Sequence, residues 1–169
     1  VNKDYEDLVR PFQVNPAARI PVGGYGFTHF LSSFSFPTAF KVRGTVSTDL
    51  GQFYNGTKRT VGYTGRAEVT KQIIIEPTIS LNWVKLPVGN FTTHLVQSRV
   101  TYTVSPRMSF GTLIQFNQSA HTFSTNTRLA WEYIPGSNFY VVYTEGRTTA
   151  IPDRWAELQN RTFVVKLTK

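Results

Sequence analysis

The chain has 169 residues, a formal net charge of +8, 40% hydrophobic and 17% charged residues, and no cysteine. So few charges beside 13 Phe, 8 Tyr and 3 Trp exclude a disordered polyelectrolyte and a helical bundle, which draws on Ala, Leu, Glu and Lys. The lack of cysteine removes disulfide frameworks, thiolate metal sites and cysteine nucleophiles, and no apolar run approaches the ~18 residues of a membrane-spanning helix.

Residues 1–24 hold Asp4, Glu6 and Asp7, then Pro11, Pro16 and Pro21, and close on Gly23-Gly24. This composition predicts an extended lead-in segment. Residues 25–169 settle into a rhythm of strand formers and turn formers. Nine strands are predicted, at 25–36, 39–50, 59–69, 72–86, 91–104, 108–117, 122–134, 138–146 and 162–169. Most exceed the roughly five or six residues of soluble sheets and match the roughly 9 to 11 of a tilted membrane-crossing strand. The breaks at Pro37-Thr38, Thr70-Lys71, Ser105-Pro106-Arg107 and Pro135-Gly136-Ser137 read as short. Those after Leu50, Leu86, Asn117 and Gly146, the last holding Pro152, read as longer. Short turns alternating with longer loops are a property of outer-membrane barrels.

Within the strands, apolar and polar residues alternate with period two. Phe40, Val42, Val46 and Leu50 oppose Lys41, Arg43, Ser47 and Asp49; Val61, Tyr63, Ala67 and Val69 oppose Thr64, Arg66 and Glu68. Val96, Val100, Tyr102 and Val104 oppose Gln97, Arg99, Thr101 and Thr103, and Met108, Phe110, Thr112, Ile114 and Phe116 oppose Ser109, Gly111, Leu113, Gln115 and Asn117. Leu129, Trp131 and Tyr133 oppose Arg128, Ala130 and Glu132. Such alternation predicts half-buried strands without saying whether the apolar half meets a second sheet or lipid. Large charged side chains of both signs in mid-strand favour a barrel with a polar interior. The residues expected to line it are Lys41, Arg43, Arg66, Glu68, Glu76, Arg99, Gln115, Arg128, Glu132 and Lys166, in an electrostatic role. Tyr25, Phe53, Tyr54, Trp83, Phe91, Tyr102, Tyr133, Phe139, Tyr140 and Tyr143 fall near strand ends, where interfacial aromatic girdles are expected.

The basic balance fits an anionic partner or a solvated surface. No cluster of five Lys/Arg occurs, and the aromatic-plus-basic spacing of an RNA-binding sheet is absent, so no nucleic-acid partner is expected. His29, His94 and His121 share no metal-ligand spacing, Gly23-Gly24-Tyr25-Gly26 lacks the ending of a phosphate loop, and no GxSxG occurs. The sequence therefore predicts no metal, no cofactor and no catalytic residues. The triplets at Asn55, Asn90, Asn117 and Asn160 would accept glycans only in a eukaryotic secreted chain.

The series Leu86-Pro87-Val88-Gly89-Asn90-Phe91-Thr92-Thr93-His94, Ser105-Pro106-Arg107, Gln115-Phe116-Asn117 and Trp131-Glu132-Tyr133-Ile134-Pro135-Gly136-Ser137 resembles one family. So do Phe139-Tyr140-Val141-Val142-Tyr143-Thr144-Glu145, Asn160-Arg161-Thr162-Phe163-Val164-Val165-Lys166, Gly51-Gln52-Phe53-Tyr54-Asn55-Gly56 and Ile20-Pro21-Val22-Gly23-Gly24-Tyr25. The family is an uncharacterised bacterial outer-membrane β-barrel domain that follows a carbohydrate-binding domain of the family-nine type. The resemblance implies an all-β, antiparallel, up-and-down transmembrane-type barrel, here its C-terminal part, in the bacterial outer membrane. The implied partners are outer-membrane lipid, glycans or small solutes, and the upstream carbohydrate-binding-type domain. The start at Val1, with no apolar signal segment, agrees with a mature C-terminal piece. The residues themselves leave two other readings open. One is a soluble β-sandwich or lipocalin-like barrel that binds a ligand or carbohydrate. The other is a jelly-roll-type glycan hydrolase using Glu76 or Glu132, carboxylates of the type glycosidases employ in pairs.

Overall fold

The computed structural model describes residues 1–15, 18–37, 39–151 and 156–169; Pro16, Thr38 and Pro152, read above as breakers, lie outside them. The fold is all-β and antiparallel. The strands are β1 (Asn2–Leu8), β2 (Phe12–Asn15), β3 (Ala18–Ile20), β4 (Gly23–Ser35), β5 (Val42–Phe53) and β6 (Gly56–Glu68). They continue with β7 (Ile73–Leu86), β8 (Gly89–Ser105), β9 (Met108–Asn117), β10 (Thr122–Ile134), β11 (Ser137–Thr148) and β12 (Glu157–Thr168). Ten of them form one sheet in the order β1-β4-β5-β6-β7-β8-β9-β10-β11-β12, while β2 and β3 form a separate hairpin. Among the described residues no pairing joins β1 to β12, so both remain edges of an open meander.

Three expectations are corrected. Residues 1–24 are not a plain lead-in: β1 pairs with β4 from Asn2 opposite His29 to Leu8 opposite Gly23, which makes ten sheet strands rather than nine. The loop lengths do not alternate: Tyr54-Asn55 and Pro87-Val88 are two-residue turns, because β5 runs past Leu50 to Phe53 and β8 begins already at Gly89. Third, the strictly sequential order of the nine strands from β4 to β12 is a meander, which excludes the two Greek keys of a jelly roll.

From β4 onward the sheet strands run from 10 residues in β9 to 17 in β8. The register is staggered. Ile79, midway along β7, shares a row with Val96, Phe116 and Phe123, the last at the start of β10. Leu129, midway along β10, shares its row with Phe110, Tyr102 and Ile73, the last at the start of β7. This shear is what tilted strands require before a sheet can curl toward closure.

The accessible surface is 11378 Å², about a third above the roughly 8,400 Å² of a folded 19.1 kDa monomer. A single unlayered sheet explains the excess. Buried apolar residues are confined to Leu8, Ala18, Ile20, Val84, Leu86 and Ala156, and no polar residue is buried among the described ones. All but Ala156 form one cluster at one end of the sheet, where the β2–β3 hairpin lies across it. There β6 approaches β7 closely at Gly56, where a Cβ would lie 2.0 Å from the Lys85 carbonyl oxygen.

Candidate functional site

Cross-strand partners share a face, so the register sorts every strand residue onto one of two surfaces. One face carries a broad apolar band: Phe34, Val46, Tyr63, Ile79, Val96 and Phe116 run across six neighbouring strands, while Lys3 and Asp7 of the edge strand β1 and Arg59, Lys85, Glu145, Arg147 and Arg161, all toward the hairpin end of their strands, lie on the same face. Phe110, Leu129 and Val141 continue the band, and Phe163 and Val165 carry it onto the far edge. Nothing covers these side chains among the described residues. Phe34 is 63% exposed, Trp131 45% and Phe163 65%. A contiguous apolar surface of this extent is rare on monomeric soluble proteins.

The opposite face is polar. Of the ten residues singled out by alternation, Arg43, Arg66, Glu68, Glu76, Arg99, Gln115, Arg128, Glu132 and Lys166 stand on this one face. Lys41 lies in the connection before β5, where its carbonyl accepts the Glu68 amide at 2.8 Å. Four of the ten form a chain of ion pairs across three strands. Arg43 Nη2 donates to Glu68 Oε1 at 3.0 Å, and Arg66 reaches Glu68 Oε1 at 3.4 Å through Nε and Glu76 Oε1 at 2.8 Å through Nη1. Directly opposite guanidiniums such as Arg43 and Arg66 would repel; the carboxylates placed beside them offset that. Half-exposed pairs of this kind contribute at most about 1 kcal/mol each, so the ladder orders side chains more than it stabilises the sheet.

Glu76 and Glu132 do not converge. Glu76 shares a row with Arg99, Leu113 and Asn126, whereas Glu132 lies six positions further along β10 than Asn126. That is roughly 20 Å along the strand direction alone, well beyond the ~5 to 9.5 Å between paired glycosidase carboxylates. Glu132 is engaged instead as a turn acceptor, its Oε1 receiving the Gly136 amide at 2.9 Å.

A second polar cluster was not singled out from the sequence. His29 Nδ1 lies 2.7 Å from Asp49 Oδ1 and His29 Nε2 lies 2.8 Å from Asp4 Oδ2. Lys58 Nζ sits 3.3 Å from Asp49 Oδ2. The cluster ties edge strand β1 to β4, β5 and β6. Asp49 had fallen in the polar phase of its predicted strand, but Asp4 was hidden in the supposed lead-in, so the partnership was not visible.

At the hairpin end the polar face turns apolar. Val84 and Leu86 continue the row phase of Ser80 and Asn82 but are buried with Leu8, Ala18 and Ile20. Tyr25, Phe53, Tyr54 and Phe91, expected in an outward girdle, pack against this cluster instead. Trp83, Tyr102, Phe139 and Tyr143 do stand on the apolar face. Tyr54 occupies the left-handed region with φ 52°. It is held there by ring contacts at 4.8 Å to Phe53 and 5.2 Å to Tyr25, and by its hydroxyl donating to Glu6 at 2.9 Å.

Burial, then the Glu6 carboxylate, pushes the Tyr54 phenol up to about 12. An unfolded tyrosine ionises near 10, so the contribution of this contact is complete below that pH and is lost as pH rises toward 12. In a tyrosinate absorbance titration, Tyr54→Phe should remove a late-titrating component from the wild-type curve. Identical curves for the two proteins would refute the placement of Tyr54.

Neither a protein-family model, nor a curated protein, nor a solved structure matches this chain.

Proposed function

We propose that the chain is the wall of an outer-membrane β-barrel, with the apolar face toward lipid and the polar face toward an aqueous lumen. The observation that carries this reading is the uncovered apolar face spanning the sheet, backed by a polar face carrying charges of both signs. In a soluble sandwich that face would need a second sheet, and the β2–β3 hairpin packs on the other side. Long strands and a staggered register suit the tilted strands of a membrane barrel. The unpaired edges β1 and β12 suit either pairing with each other or insertion between further strands of a larger barrel, of which this would be the C-terminal part.

In this reading the protein is a bacterial outer-membrane scaffold or pore for small solutes, linked to glycan binding or uptake through an upstream carbohydrate-binding-type domain. The lumen residues set ion and solute preference and carry no catalysis. Membrane fractionation of the parent protein, with gel mobility compared before and after boiling in detergent, is the test. An outer-membrane band whose mobility shifts on boiling is expected. A soluble protein with no shift would discard the barrel and make the apolar face the inside of a ligand-binding sandwich.

A further inference from the structure

We infer that the polar face carries a binding site for the oxyanion of a small hydroxylated solute, formed by Arg99 of β8 and Arg128 of β10 on either side of Gly111. These residues border a hollow of about 460 Å³, together with Thr101, Ser109 and Asn126. The register explains why the hollow exists. Thr101, Gly111 and Arg128 form one row, and Arg99, Leu113 and Asn126 form the next row on the same face. Arg99 and Arg128 thus stand two strand spacings and one pleat repeat apart, roughly 12 Å between backbones. Two arginine side chains can close on a carboxylate or sulfate across such a gap. Gly111 leaves the space between them empty: a Cβ built there meets nothing nearer than the Val100 carbonyl oxygen at 4.0 Å.

The charge state of the two arginines separates this hollow from the neighbouring ladder. Arg43 and Arg66 are consumed by Glu68 and Glu76. Neither Arg99 nor Arg128 forms an ion pair among the described residues. Glu76 lies opposite Arg99 in register, but its Oε1 is engaged by Arg66 at 2.8 Å. The Arg128 guanidinium is seated over the Tyr140 ring, 4.6 Å from its centroid, which holds it in place without neutralising it. Two guanidiniums without carboxylate partners offer the forked donors that match a planar carboxylate or a sulfate. The hydroxyls of Thr101 and Ser109 and the amide of Asn126 supply donors and acceptors for the hydroxyl groups of a uronic-acid-type solute.

The inference deepens the proposed solute-handling role but needs only the sheet face, so the same titration is run on whichever fraction, membrane or soluble, holds the protein. Sodium glucuronate, sodium sulfate and glucose are titrated into the purified full chain by calorimetry at fixed ionic strength. Saturable glucuronate binding, at least tenfold weaker in Arg99→Gln, Arg128→Gln and Gly111→Leu, is expected, with no binding of glucose. Arg59→Gln, which removes the same charge from the opposite face, should leave the affinity unchanged. Sulfate binding as tight as glucuronate assigns recognition to the oxyanion alone, whereas tighter glucuronate binding adds the hydroxyl contacts; both support the site. Gly111→Leu fills the hollow without removing charge, so equal binding in that variant and wild type overturns the site, as does equal weakening by Arg59→Gln or the absence of saturation.

Discussion

Placing an arginine at Ile79 or Leu129 should weaken folding into lipid vesicles by about 2 to 4 kcal/mol each, the penalty for a cation facing lipid near the bilayer midplane. Both residues sit midway along their strands on the apolar face, although the stagger puts them in different rows. Trp131 shares that face but lies near the turn at Pro135-Gly136, paired with Met108 and Phe139. Trp131→Arg should therefore cost about 1 kcal/mol or less, because the penalty falls toward zero at the interface. Urea-titrated folding equilibria into vesicles measure all three. The depth gradient is the informative part. A soluble sandwich core would be damaged wherever the arginine is buried, whereas a lipid-facing wall predicts damage graded along the strand. Equal costs at the three positions would contradict the assignment of this face to lipid.

The hairpin should detach as a unit when its anchor is removed. Ile20 is 0% exposed and is packed with Leu8, Ala18, Val84 and Leu86. Truncating a buried isoleucine to alanine removes packing worth about 2 to 5 kcal/mol, and Ile20 is the most deeply buried side chain of the hairpin. The hairpin's own pairing is short and bulged between Gln13 and Asn15. Ile20→Ala should therefore abolish hydrogen-exchange protection in β2 and β3 while leaving β5 to β11 protected, because those strands take no packing from the hairpin beyond their ends. If the polar face lines a lumen, the same variant should raise single-channel conductance, since the hairpin lies across one end of that face. Loss of protection across the whole sheet would mean that the cluster is a folding nucleus for all ten strands rather than a local anchor.

Much of the fold was legible because period-two alternation is a local property. Residues such as Phe110, Ser109 and Gly111 declare their faces by parity alone, and a strand that keeps its parity over ten residues has little freedom to be anything else. Parity likewise placed Arg43, Arg66, Glu68, Glu76, Arg99, Gln115, Arg128, Glu132 and Lys166 on a common surface. Strand ends were less legible. Gly51-Gln52-Phe53 looked like loop, yet cross-strand pairing with Lys58 and Thr57 carries β5 through it. The first strand is hidden for the same reason: Asn2–Leu8 has no apolar alternation of its own and becomes a strand only because β4 presents an unpaired edge to it.

Composition and periodicity by themselves determined that this chain makes long antiparallel strands with one apolar and one polar face, because backbone pleating converts alternation directly into sidedness. Tertiary structure alone decided the rest. Which arginines are neutralised and which stay free depends on register, a relation between residues far apart in the chain that no local pattern encodes. Gln97 and Gln115 meet across β8 and β9, while Arg66, opposite Arg43 on one side, meets Glu76 on the other. The apolar patch beneath the hairpin also arises only on folding. Val84, Leu86, Tyr25 and Phe53 lie apart in sequence and share the polar phase, and the sheet brings them to one corner where Ile20 excludes water.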